Sequence, residues 1–408
     1  SGAEVHIRNN TTTTTIDVAR FTDIQGVATF AGAPAAANYE ISVTKAGYST
    51  DQTYVATTSN PDPITSPVAV IESAVSTMNF QIDRLSDLKV RTIGPATVGS
   101  FEDTFTDMTA VATSTDVALV AGSIVLGGSA GTYIPTGLLH STTTTPTVIT
   151  AWDIVSWNSL TPINTELLVS VYKVTGSTYS LVPDADLAGN SVGFSSGPID
   201  ISGLDTSVYD SLALGAVLTT TDSNVSPELY KRSSTHTGSE PSIGSIPFTL
   251  TSTKIIGTTP VYKYLESHTT DASGEVELTD LEWDSYIVAL ETGAYDIKNA
   301  CPSIPYTLNP GVSDTLTLTL VPSATYSLRV SVVDVDGNPI IGADVDVSRP
   351  SFSDSDVTSS CGQVFFNTGL AAQPDYELDV QATGYADQTV TAVTIDGANV
   401  VVVTLASV

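Results

Sequence analysis

Along most of the chain apolar residues alternate with polar ones at a period of two, the spacing that turns one face of a β-strand toward a core. The clearest stretch carries Tyr326, Leu328, Val330 and Val332 on one side with Ser327, Arg329 and Ser331 between them. Leu316, Leu318 and Leu320 repeat the alternation, and residues 117–126, 148–157, 167–174 and 212–220 read as further strands. Strand formers (Thr, Val, Ile, Tyr) outnumber helix formers, and no segment reads as a helix.

The strands are organised by an internal repeat with three copies. The fullest starts with the alternating strand at 325–334, turns at Asp336-Gly337-Asn338-Pro339 and continues as Gly342-Ala343-Asp344-Val345-Asp346-Val347. A turn at Cys361-Gly362, the short run Val364-Phe365-Phe366, Tyr376 to Val380, Gly384-Tyr385 and a last strand at 400–405 complete it. The first copy aligns as Gly2-Ala3-Glu4-Val5-His6-Ile7, Asp23-Ile24-Gln25-Gly26 with residues 27–30, Tyr39 to Val43, and Gly47-Tyr48. The third is more divergent: Pro260-Val261-Tyr262-Lys263-Tyr264, Thr270 to Gly274, Tyr286 to Leu290 and Gly293-Ala294-Tyr295. About seven short strands per copy are enough for a two-sheet sandwich with Gly-bearing turns.

The order Gly-Ala-x-Val-x-Val, Thr-Asp-x-x-Gly, then a Tyr-led strand ending in Gly-Tyr resembles the carboxypeptidase-regulatory-like family of transthyretin-like sandwiches. The resemblance implies domains that act as spacers or attachment modules and carry no catalytic residues. Residues 46–54 and 359–363 are similar to stretches of multidomain prepilin-type proteins of bacteria, which implies pilin-like surface or filament subunits anchored by an N-terminal hydrophobic helix that these residues do not include. The Lys-to-Asn cross-link of related Gram-positive pilins is not expected: no lysine follows Ser323, and the first copy has only Lys45, in the wrong strand.

The expected architecture is therefore all-β, with three transthyretin-like or Ig-like Greek-key sandwiches at 1–87, 246–321 and 322–408 and a larger jelly-roll-like sandwich at 88–237 where the repeat is lost. A linker is expected at 233–245. Copy one starts directly at Gly2-Ala3, so its first strand is missing; an unpaired edge is expected along Gly2 to Ile7, filled by a neighbouring chain or lost by truncation.

Candidate chemistry is sparse. Trp152 and Trp157 stand an odd number of positions apart, so on an unbroken strand one is core and the other more exposed; the latter is able to stack on a sugar ring, but partial burial in the sandwich or against a neighbouring domain is the plainer reading. The opening at 98–105 and the aromatic strand at 152–157 look similar to lectin-like or carbohydrate-binding modules. Asp184 and Asp186, followed by Gly189-Asn190, offer oxygen ligands for calcium but lack the third acidic position, and a solvated turn is the plainer reading. Gly193-Phe194-Ser195-Ser196-Gly197 has the form of a hydrolase elbow without the helix that must follow, and His6, His140, His236 and His268 are scattered. Threonine runs at 11–15 and 142–145 are candidates for O-glycosylation or simply exposed loops. Cys301 and Cys361 lie in turns of different domains with too few ligands nearby for zinc; a disulfide is expected, against the alternative of two reduced thiols.

Composition narrows the partners. Forty-four acidic against 14 basic residues give a net charge of −30, which disfavours nucleic acid and anionic membranes. No run approaches the ~20 apolar residues of a membrane span. The expected function is an extracellular structural or adhesive role at a bacterial surface, with other copies of the chain or other filament subunits as partners and no cofactor beyond calcium. The alternatives are a carbohydrate-binding protein that recognises glycans through 88–237, and an accessory region of a secreted hydrolase.

Overall fold

A computed structural model describes residues 1–10, 15–129 and 132–408; threonines 11–14 lie outside the described residues. Every element among these is a strand, so the all-β, tandem-sandwich reading holds. The chain forms two compact units, Ala96–Pro241 and the remainder, Ser1–Pro95 with Ser242–Val408.

The last sandwich is the reference copy. One sheet runs Phe352–Val357, Asp344–Arg349, Gln373–Gln381, Gln388–Ile395; the other runs Gln363–Phe366, Ser327–Asp334, Ala398–Leu405. Ser327–Asp334 is central in this second sheet, antiparallel to Gln363–Phe366 and parallel to Ala398–Leu405. Its Leu328, Val330 and Val332 meet Val345, Val347, Tyr376 and Leu378 in a dry core, as the alternation requires.

The third sandwich has the same plan with one rearrangement. Its first sheet runs Leu265–Thr269, Pro247–Ser252, Asp284–Leu290, Tyr306–Leu308, and its second Glu275–Leu281, Ser86–Ile93, Ser313–Pro322, Tyr295–Cys301. The central strand is Ser86–Ile93, antiparallel to Glu275–Leu281 and parallel to Ser313–Pro322, with Leu88 and Val90 in the core. The boundary expected at 87/88 therefore falls inside a strand. The second domain is an insertion between the first strand of the third sandwich and its remainder, and the linker expected at 233–245 overlaps the strand Glu228–Thr237.

Backbone bonds fix the alignment of the copies. Gly2, Ser245 and Gly342 donate their N–H to the carbonyls of Thr22, Thr270 and Thr358 at 3.0, 3.1 and 3.0 Å. The next N–H, of Ala3, Ile246 and Ala343, reaches the hydroxyls of the same threonines at 2.9, 3.0 and 2.9 Å. Ser245-Ile246 is thus the third copy's Gly-Ala, whereas Val261–Tyr262 belongs to an added hairpin with Ile255–Gly257.

The insert Ala96–Pro241 is a sandwich of its own. Ala151–Leu160 and Glu228–Thr237 lie at the centre of one sheet, Thr165–Thr175 and Leu212–Thr220 at the centre of the other, around a core that includes Trp152, Leu167, Val169 and Leu218. Arg232 is buried and held by Asp103, with Nε and Nη2 donating to Oδ2 at 3.2 and 3.0 Å and Nη1 donating to the Leu214 carbonyl at 3.2 Å.

The first domain is a single sheet: Ile16–Phe21, Glu4–Asn9, Ala36–Thr44, Asp51–Gln52, with Val68–Val70 also on Ala36–Thr44. Glu4–Asn9 is paired on both sides, so the open edge expected at Gly2 to Ile7 is not there. This sheet corresponds to the first sheet of the complete copies, and among the described residues the second sheet is absent.

Gly2 and Gly342 sit at φ +70° and +69°, but Ser245 takes φ +62° at the same position, where a Cβ is disfavoured. Ser245→Gly is expected to stabilise the third sandwich by about 0.5–1 kcal/mol, and Gly342→Ser to destabilise the fourth by about the same. Denaturant midpoints of the two variants check the pair of opposite signs.

Candidate functional site

The residues singled out for chemistry are dispersed. Along Ala151–Leu160 the pairing steps from Trp152 opposite His236 to Val155 opposite Ser234, so one extra residue bulges between them. The bulge reverses the parity of the strand: Trp152 is fully buried with its Nε1 donating to the Tyr209 carbonyl at 2.6 Å, and Trp157 packs half-buried against the same core. A Cβ on Gly197 would stand 2.9 Å from the Trp157 ring, so the loop lies flat on that indole. One indole is thus core and the other more exposed, the latter partly buried in the sandwich, although the bulge puts both on the core side.

Asp184 and Asp186 turn to different donors. Asp184 accepts from the Ser191 hydroxyl and N–H at 2.6 and 2.7 Å, which holds its carboxyl below the usual range. Asp186 accepts from the Tyr209 hydroxyl at 2.6 Å and pushes that phenol up to about 12. Among the described residues no three acidic, histidine or cysteine side chains converge as metal ligands. Ser195 lies on a loop with no helix after it. His6 pairs with Asp17, His140 with the Thr113 hydroxyl at 3.0 Å and His268 with the Tyr264 hydroxyl at 2.9 Å, while His236 stands edge-on to Trp152. Burial lowers the pKa of both His140 and His236.

The built feature is the joint between the third and fourth sandwiches. Cys301, at the end of Tyr295–Cys301, is disulfide-bonded to Cys361 in the turn before Gln363–Phe366, with the Cα atoms 5.5 Å apart. Beside the bond, the Gln363 carboxamide accepts from the Ala300 N–H and donates to the Ala300 carbonyl, both at 2.9 Å. Both residues are buried. The Ser359 hydroxyl reaches Asn299 Oδ1 at 3.2 Å, and Asp296 holds the connecting chain through the Ser323 hydroxyl and the Ala324 N–H, each at 3.1 Å. A covalent bond flanked by a two-point side-chain clasp fixes the angle of the joint. Sequence reasoning found the cysteines and missed Gln363; its signal is a carboxamide at an apolar-strand position directly after Cys361-Gly362.

Two shallow clefts of about 240 and 300 Å³ lie where the first sheet meets the third sandwich. Their two lysines are already paired: Glu282 bridges Lys254 at 3.1 Å and Lys263 at 2.7 Å, and Lys263 also donates to the Thr50 carbonyl at 2.9 Å. Asn60 donates to the Ile256 carbonyl at 3.1 Å, so these clefts are a domain seam. At the far end, Ala398–Leu405 is an edge strand with Val400 and Val402 each 54% exposed. The corresponding strand of the third sandwich is covered by Tyr295–Cys301.

Residues 304–396 match the family model described as heme-binding protein Shr-like, Hb-interacting domain; the match runs from the end of the third sandwich through most of the fourth. No curated protein matches the chain. Among solved structures, the chain is similar to a minor pilin of Streptococcus agalactiae (15% identity, 42% of this chain and 86% of that one, TM-score 0.16). It is also similar to the shaft pilin of Lactobacillus rhamnosus GG (11% identity, 41% and 90%, TM-score 0.16) and the Bacillus anthracis TIE protein (12% identity, 66% and 55%, TM-score 0.17). No functional assignment rests on likenesses of that score.

Gln363→Leu orphans the buried N–H and carbonyl of Ala300 and is expected to cost about 1–3 kcal/mol with the disulfide intact. Thermal unfolding under non-reducing conditions measures it, and an intact mass two hydrogens below the reduced value confirms the bond in the same sample. Val402→Lys, on the open edge, is expected to suppress self-association in concentrated solution without moving the unfolding midpoint; light scattering checks this.

Proposed function

We propose that the chain is a structural or adhesive protein of the bacterial cell surface, in which tandem sandwiches hold an interaction module at a fixed angle. The observation that carries this reading is the joint at Cys301–Cys361, because a disulfide between domains forms and persists in an oxidising, extracytoplasmic compartment. The repeat supports it: sandwiches of one plan, joined in tandem, suit a spacer role. The finer reading is a pilin-like filament subunit of carboxypeptidase-regulatory-like sandwiches, with other copies or other surface subunits as partners. Among the described residues no helix is long and apolar enough to cross a membrane.

A second reading is favoured by the family match: the fourth sandwich is a protein-binding module with a haemoglobin-like partner. The partner in this reading is a protein surface; residues 304–396 hold no histidine or methionine and their one cysteine is in the disulfide, which leaves the tyrosines as the side chains there of a kind that ligates haem iron. The burial of Trp152 and the packing of Trp157 against the core weigh against the carbohydrate reading.

Antibodies against the fourth sandwich are expected to label intact cells that make the protein. Label that appears only after permeabilisation sinks the surface reading. Immobilised full-length chain tested against haemoglobin addresses the second reading separately: saturable binding competed by the same antibodies supports it, and its absence removes it without touching the first.

A further inference from the structure

The seam between the first domain and the third sandwich is built from backbone bonds. The Ile64 N–H reaches the Ile256 carbonyl at 3.1 Å and the Thr258 N–H the Asp62 carbonyl at 3.0 Å, so a loop of the first domain is laced to the added hairpin of the third sandwich. The same loop holds the next segment of its own domain, because the Tyr54 N–H donates to the Thr65 carbonyl at 2.7 Å. The cleft of about 240 Å³ in this seam therefore has walls whose main chain is fixed on both sides, and Tyr54, Trp283, Asp51 and Asp83 line it.

Two polar tips in this cleft are unused. Tyr54 and Trp283 are half-buried, yet among the described residues neither the Tyr54 hydroxyl nor Trp283 Nε1 has a hydrogen-bond partner, and neither atom is sealed from solvent. Packed Tyr and Trp rings normally engage their polar tips. Other phenols of the same unit do so: Tyr39 donates to the Pro34 carbonyl at 2.8 Å, Tyr286 to the Glu282 carbonyl at 2.7 Å and Tyr376 to the Ala371 carbonyl at 3.2 Å. Burial, with the charges of Asp51 and Glu282, raises the Tyr54 phenol, which keeps it a donor at neutral pH. Acceptors stand beside these donors. Asp51 is held by the N–H groups of Gln52 and Gln81, each at 2.9 Å, and the Gln81 carboxamide donates to Asp83 at 3.4 Å. Lys254 and Lys263 line the same cleft but are held by Glu282, so among the described residues neither Asp51 nor Asp83 has an ion-pair partner.

We propose that this cleft is a sugar-binding subsite, and that its occupant is a neutral pyranose unit of a glycan. A pyranose matches the set of groups on both counts. Its C–H face lies against an aromatic ring, while its hydroxyls accept from the phenol and the indole N–H and donate to the two carboxylates. Charge points to a neutral ring: Asp51, Asp83 and a chain charge of −30 repel an anion, and the ammonium groups of Lys254 and Lys263 repel a cation. The cleft is smaller than the ~300–1,000 Å³ of a site for a drug-sized ligand, so it takes a single ring. The neighbouring cleft of about 300 Å³ shares Lys263 and Glu282 with it and leaves space for the next unit of the glycan. This site is separate from the insert Ala96–Pro241, and the inference stands on the seam's geometry and not on where the protein resides.

The test uses the 408-residue chain and, as probes, the methyl pyranosides of glucose, galactose, mannose and N-acetylglucosamine, followed by saturation-transfer NMR and titration. Saturable one-to-one binding of at least one of them is expected. Tyr54→Phe and Trp283→Phe each keep a ring and delete only the unused donor. Each is expected to weaken that binding about fivefold or more while the unfolding midpoint stays in place, because the deleted group has no partner in the free protein. Absence of binding by all four glycosides overturns the proposal. Equal binding by both variants overturns it as well, since the sugar then sits elsewhere on the chain. Methyl glucuronide and acetylarginine amide are the charged controls, and tighter binding of either one, lost in the same variants, overturns the neutral assignment. None of these outcomes bears on the surface reading, which antibody labelling decides by itself.

Discussion

Each sandwich of the repeat depends on one strand paired on both sides. The two outer strands of the second sheet do not touch each other; every ladder bond they make in that sheet's middle goes to the strand between them, Ser327–Asp334 or Ser86–Ile93. Buried backbone groups must find partners, so without the central strand the outer segments cannot close over the first sheet. The first domain illustrates the consequence: its own sheet forms, but among the described residues no core cluster comparable to those of the third and fourth copies does. Apolar alternation is present at Met78, Phe80 and Ile82, and among the described residues no strand pairs with it.

The same strand explains where the chain tolerates an insert. Leaving the central strand at Ile93, the chain departs for the second domain and returns at Ser242, which bridges back to Ile93, while the Ile243 N–H reaches the Thr92 carbonyl at 3.0 Å. The two crossing points therefore lie side by side at one end of the sheet. An insertion whose ends are already adjacent adds little closure cost, because that cost grows only slowly with length. Within the insert, Gly238 N–H meets the Thr97 carbonyl at 2.6 Å, so its ends are pinned together as well.

Much of this was legible in the sequence, and the failures have specific physical causes. Alternation and turn chemistry identified the β class, the reference copy and the two cysteines that bond. The third copy's beginning was hidden because Ser245 occupies a left-handed position where the other copies show glycine, and the Gly-Ala signature vanished with it. Ser86–Ile93 was then assigned to the wrong domain, since its partners lie beyond the insert and no local signal marks a strand paired at that distance. The graded burial of the two tryptophans was foreseen but not their common face, because parity counts hold only on unbroken strands, and the extra residue between Trp152 and Val155 is invisible to periodicity. The buried Arg232–Asp103 pair was missed for a related reason: each residue sits in an ordinary polar position of its own strand, and only the pairing of Val98–Asp103 with Glu228–Thr237 brings them together.

The divergence between the third and fourth copies is where a repeat becomes a device. Tyr295–Cys301 is an addition to the third copy: it pairs antiparallel with Ser313–Pro322 and so covers the edge that Ala398–Leu405 leaves open in the fourth. An extra strand laid on an edge is a common way to remove that liability. Here the same strand carries, in order, Asp296, Ile297, Asn299, Ala300 and Cys301, and these residues supply the contacts to the fourth sandwich. On the opposite side of the joint, Ser359, Cys361 and Gln363 come from the turn that every copy possesses. The joint therefore needed only one added strand and a few substitutions in an existing turn, because the repeat already presents that turn at the end of the sandwich. A stiff connection between neighbouring copies thus follows from protecting an edge.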